Sequence, residues 1–146
     1  MAAGTDKFGK QAIKTKVFIN SIREDGEYGE RLVTELKNSR LYLEPQVWSI
    51  QPHYYLEEVI NESRYFISLI SSRVVENRYI GFEWALKLLK QTQQTKKIIV
   101  IPVRLDDCKI PYSQLEKIQF IDLFPDWNQG FEKLLEAIDG GDNFVE

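Results

Sequence analysis

His53 and Cys108 are the only histidine and cysteine in a chain of 146 residues, and that scarcity removes much of the chemistry side chains can perform. A multi-histidine metal centre, a Cys/His zinc site and an intramolecular disulfide are all excluded, so no metal is expected. His53 follows Pro52 and reads as a plain loop residue. Cys108 has no base near it in sequence to draw off its proton, and reads as a small, partly buried structural thiol. The chain carries neither a glycine-rich phosphate loop nor a GxSxG elbow, which leaves nucleoside-triphosphate and serine-hydrolase chemistry without a scaffold. Glu83 and Lys87 stand at i and i+4, the spacing of an exposed helical ion pair worth about 0.3 to 0.5 kcal/mol. Arg23, Arg73 and Arg78 lie between apolar runs, where a guanidinium either grips a pyrophosphate or stays solvated. Trp48 has two readings of equal weight, stacking on a base or packing its loop onto the core.

The elements that must position these residues alternate along the chain. Lys16 to Asn20, Tyr65 to Ile70 and Ile98 to Val103 are short, nearly continuous apolar runs rich in Val, Ile and Phe, the pattern of strands buried on both faces. Leu41 to Val47 and Ile118 to Leu123 are weaker fourth and fifth strands. Between them, Tyr28 to Asn38 places Leu32, Val33 and Leu36 at helical spacing. A shorter helix is expected from about Tyr54 to Glu62, a strong one from Tyr79 to Gln91, a helical turn over Pro111 to Lys117 and a last helix over Trp127 to Ile138. Strands alternating with helices imply right-handed crossovers. The expected fold is therefore α/β, a flavodoxin-like, doubly wound, five-stranded parallel sheet with helices on both faces. Ligands of such sheets sit beyond the carboxyl ends of the strands. That edge comprises Ser21 to Gly26, Val47 to His53, Ser71 to Arg78 and Arg104 to Lys109.

The length suits one domain with one core. Residues 16–139 are expected to form it, with 1–15 and 140–146 as flexible ends. A net charge of -3 and a pI near 5.3 argue against a broad basic surface for nucleic acid. No stretch approaches 18 uninterrupted apolar residues and the N-terminus lacks the apolar run of a signal peptide, so no membrane contact and a cytoplasmic location are expected. A phosphoacceptor receiver domain shares this sheet but needs an aspartate after its third strand, where Ser71 and Ser72 stand instead.

Several segments resemble one family. Val17-Phe18-Ile19-Asn20-Ser21-Ile22-Arg23-Glu24-Asp25 is similar to the opening strand and first loop of Toll/interleukin-receptor (TIR) domains, commonly written VFISYSRED. The likeness continues through Glu35 to Asn38, Ser63 to Ser72 and Tyr79-Ile80-Gly81-Phe82-Glu83. Ile101 to Cys108 and Asp122-Leu123-Phe124-Pro125-Asp126-Trp127 resemble the prokaryotic branch.

The resemblance implies cleavage of NAD at the nicotinamide-ribose bond, giving ADP-ribose or a cyclised isomer, in immune signalling or defence. NAD is then a substrate, and no cofactor is implied. Carried over by position, the catalytic glutamate is Glu83, and Asn20, Ser21, Ile22, Arg23, Trp48, Ser71 and Arg78 fall at the substrate. Asn20, Ser21 and Ile22 replace the family's Ser, aromatic and Ser, and Leu43 to Pro52 keeps a tryptophan and prolines without the usual aspartate and glycine. Those changes motivate a second expectation, a non-catalytic adaptor acting through contacts between TIR domains. The family also implies homo-oligomerisation, with Val47 to His53 and above all Trp48 completing a neighbour's site. A nucleoside deoxyribosyltransferase-like reading is weaker, because its covalent chemistry needs a second carboxylate that the sequence does not identify.

Overall fold

Five runs of mostly branched and aromatic residues pair in parallel in a computed structural model that describes residues 14–48, 63–77, 98–109 and 120–140. The strands are β1 (Thr15–Asn20), β2 (Leu43–Trp48), β3 (Tyr65–Ile70), β4 (Ile99–Arg104) and the two-residue β5 (Ile121–Asp122), in the order β2-β1-β3-β4-β5. All five expected strands are present, and the fold is the doubly wound parallel α/β sheet read from the sequence. Every residue of β3 is buried, as are Val17 to Asn20 of β1 and all of β4 except Arg104. Both sheet faces are therefore dry, and that is why the strands read as continuous apolar runs. Pro45 lies in β2, at the sheet edge, where a missing backbone donor is tolerated.

Helix α1 (Gly26–Lys37) follows a short 3-10 turn at Arg23–Asp25, and α3 (Trp127–Gly140) ends the described chain. Leu32 and Leu36 of α1 and Leu134, Leu135 and Ile138 of α3 share one core with Val17, Ile19, Ile67, Ile99 and Ile101. On the opposite pleats Phe18 and Phe66 stack at 5.3 Å between centroids and are fully buried. The two helices are also tied directly: Trp127 Nε1 donates to Glu35 at 2.9 Å, and the Arg31 guanidinium lies 4.0 Å above the Trp127 ring. Tyr65 reaches from β3 to donate its hydroxyl to the Ile138 carbonyl at 2.8 Å, satisfying an orphan acceptor near the end of α3.

One helix departs from the sequence reading. Ser72–Asn77 forms α2, within a segment expected as a loop at the sheet edge. Its start is held by a distant carboxylate: the Ser72 backbone N–H and hydroxyl both donate to Asp106 at 3.1 Å. A contact spanning 34 positions leaves no local periodicity. The helices expected over Tyr54 to Glu62 and Tyr79 to Gln91, the turn over Pro111 to Lys117 and most of both expected flexible ends lie outside the described residues. No helix among the described residues is long and apolar enough to cross a membrane.

Gly130 sets how closely α3 approaches β5. A Cβ there would collide with the Asp122 carbonyl and stand 2.8 Å from Leu123 Cα, both backbone atoms that cannot swing aside. Gly130→Ala is expected to destabilise the domain by about 3 kcal/mol, the upper range for overpacking. Gly140→Ala, where an added Cβ meets nothing within 4 Å, should show no loss in the same urea titration.

Candidate functional site at the carboxyl edge of the sheet

The chain leaves β1 for β2 on one side and later returns to β3 on the other, so the carboxyl ends of β1 and β3 flank the topological switch point. Asn20 ends β1, with Trp48 of β2 and Ser68 of β3 as its register partners on either side. Ser71 follows β3 directly. Thus the fold brings Asn20, Ser71 and the end of β2 to one edge.

The most enclosed charge there is Asp25, only 2% exposed. Ser71 donates its hydroxyl to Asp25 Oδ2 at 2.6 Å, linking the turn after β1 to the end of β3. Arg73 lies with Nη1 3.5 Å from Asp25 Oδ1 and donates to the Glu24 carbonyl at 3.3 Å. Ser71 and Ser72 are thus served by two different carboxylates, Asp25 and Asp106. Neither aspartate was among the residues singled out from the sequence. Asp25 stands one position before a helix, which reads as an ordinary cap, and its partner Ser71 is 46 residues away.

The opening loop turns largely inward. Asn20, Ser21 and Ile22 are all buried. Among the described residues Ser21 Oγ has no hydrogen-bond partner, and it lies 3.3 Å from where a Cβ on Gly29 would stand, so the hydroxyl faces α1. Arg23 is exposed. Ser71 is buried and committed to Asp25. The Trp48 side chain, Arg78, Glu83 and His53 lie outside the described residues.

At the far side of the edge, Arg104 closes a fork onto Asp122, with Nε and Nη2 at 2.7 and 2.9 Å from its two oxygens, and Nη1 donates to the Cys108 carbonyl at 3.0 Å. The Asp122 hydrogen bonds raise the Arg104 pKa and hold its charge. This segment is occupied with fastening β4 to β5. No group of three or more potential metal ligands occurs among the described residues. Cys108 is buried beneath this fork with Sγ 3.9 Å from the Ile70 carbonyl, as its reading as a structural thiol requires.

The strand order, with its switch point between β1 and β3, defines a doubly wound α/β domain. A profile of the TIR domain matches residues 17–135, most of the chain. The chain belongs to the TIR domain family. A comparison with curated proteins finds no match.

Burial pushes the Cys108 thiol up to about 11, and the neighbouring Asp106 adds to the shift. At pH 8 only about one native thiol in a thousand is then ionised. Reaction with a disulfide reagent at pH 8 should be at least about a hundredfold slower in the native protein than in urea. Because the folded pKa lies above the unfolded one, the contribution of this thiol to stability is full below pH 9 and falls as pH rises toward 11. Rapid native labelling at pH 8 would contradict this placement.

Proposed function

We propose that this TIR domain is an NAD nucleosidase that breaks the nicotinamide-ribose bond and releases nicotinamide with ADP-ribose or a cyclic isomer. The observation that carries the reading is the coincidence of family and topology: the segment resembling the family's first loop lies at the switch point, beside Ser71. In the proposed site Glu83 is the catalytic carboxylate. Nicotinamide leaves without protonation because it is already cationic, so the barrier lies in the oxocarbenium ion. A carboxylate beside the ribose stabilises that charge and orients the sugar hydroxyls. Asn20 and Ser71 border the ribose, Arg23 and Arg78 serve the pyrophosphate, and Trp48 stacks on a base. Ser21 and Ile22 support the loop from within. The setting proposed is cytoplasmic immune signalling or defence.

Burial of Ser21 and Ile22 favours a second reading. These two side chains are turned away from a nucleotide at the sheet edge, and a domain that has given up those contacts can still act as an adaptor through TIR-TIR association.

Glu83→Gln tests the first reading, because it removes charge with little change of shape. Nicotinamide release from NAD should disappear while the melting temperature stays the same, and turnover that survives the substitution would take Glu83 out of the active site. Association supplies a second measure. If a neighbouring copy completes the site, specific activity should rise with protein concentration, and Trp48→Ala should blunt the rise. Self-association without turnover at any concentration would establish the adaptor reading instead.

A further inference from the structure

Asp25 occupies the N-cap position of α1, yet its carboxylate makes no capping hydrogen bond to that helix. Aspartate at this position ordinarily turns toward the free N–H groups of the first turn. Here it turns across the switch point instead, to Ser71 on the end of β3 and to Arg73 in the first turn of α2. A carboxylate buried this deeply is costly unless it is hydrogen-bonded and faced by positive charge. Ser71 and Arg73 supply one each. Arg73 itself is not enclosed: its side chain is 61% exposed, while the Asp25 side chain is 3% exposed. The contact therefore joins a fixed anion inside the fold to a cation at the solvent edge. With Nη1 shared between Asp25 and the Glu24 carbonyl, the guanidinium is anchored at the exposed edge beside the switch point.

We propose that Asp25 is a positioning residue that, with Ser71, locks the turn after β1 against β3 and holds the Arg73 guanidinium as a subsite for the diphosphate of a nucleotide ligand. Arg23 is exposed in the same 3-10 turn, two residues before Asp25. A diphosphate suits the place because planar guanidinium groups bind phosphate oxygens in pairs and an anchored one loses less freedom on binding. The Ser72 end of α2 does not serve as the anion site, since Asp106 already receives its N–H and hydroxyl. In identifying the ligand as a dinucleotide the proposal rests on the NAD reading. The anion subsite itself can be probed without turnover.

The test titrates inorganic pyrophosphate into the wild type, Asp25→Asn, Arg73→Ala and the double variant, followed by amide shifts of residues 21–25 and 71–73, and measures KM and kcat for NAD. Arg73→Ala, at an exposed position, should weaken pyrophosphate about tenfold and raise KM for NAD similarly, with kcat changed less than about twofold. Asp25→Asn keeps the acceptor for Ser71 but removes the charge facing Arg73. It should weaken pyrophosphate severalfold alone and add nothing once Arg73 is gone, a dependence that a merely structural aspartate would not show. Additive effects, or a lower melting temperature for Asp25→Asn with unchanged pyrophosphate affinity, would overturn the positioning role. Wild-type protein that fails to bind pyrophosphate would overturn the subsite. Binding with the expected variant pattern but without NAD turnover would support the subsite and count against the nucleosidase reading. Turnover with KM indifferent to both substitutions would do the reverse.

Discussion

The side-by-side pairing of β1 and β3 is the constraint on which the rest of this domain depends. Val17 to Asn20 run in register with Tyr65 to Ser68, and all eight residues are buried. Because these two central strands are parallel, their carboxyl ends emerge together, although 45 positions separate Asn20 from Tyr65. The chain segments that follow them must then share one edge of the sheet. Shifting this register by a residue would exchange the faces occupied by Ile19 and Phe18 and break two cores at once. The position of the candidate site is thus held by the same apolar burial that holds the fold.

Charge is distributed along that edge in an orderly way. Asp25, Asp106 and Asp122 each accept hydrogen bonds from a neighbouring segment: Ser71, Ser72 and Arg104 respectively. Three carboxylates therefore fasten three junctions, namely β1 loop to β3, α2 to the loop after β4, and β4 to β5. Only the first lies beside the switch point. Arg104 is consumed by its fork to Asp122 and by the Cys108 carbonyl, so it is a structural cation. Arg73 differs, because its anchor is buried and its body is exposed. Net acidity of the chain makes such a local cation more informative than it would be on a basic protein.

The inward set of Ser21 and Ile22 bears on both functional readings. A loop whose side chains pack into the fold is rigid, and rigidity favours a preorganised crevice. The same packing withdraws the groups through which a nucleotide would be gripped. Ser21 illustrates the compromise: its hydroxyl is enclosed beside Gly29 without a hydrogen-bond partner among the described residues. Such a group costs stability in a tight core. Gly29 is needed at that contact, since a Cβ there would stand 2.5 Å from Val47 Cγ2. The opening loop is accordingly fixed by α1 and β2 as well as by Asp25.

The sequence by itself determined the sheet and the family. Runs such as Phe66 to Ile70 and Ile99 to Val103 are apolar on both pleats, which only a sheet covered on both faces can satisfy, and the spacing of Leu32, Leu36, Leu134 and Ile138 marked the helices that cover one of them. These are local periodicities, visible wherever burial repeats with the geometry of the element. Tertiary structure alone decided that Ser72–Asn77 is helical, that the opening loop faces inward and that Asp25 forgoes its cap to bridge β1 and β3. Each depends on a partner tens of residues away, such as Asp106 for Ser72 or Ser71 for Asp25. A hydrogen bond between distant residues imposes no period on the chain between them, so it comes into view only when the strands have brought its two ends together.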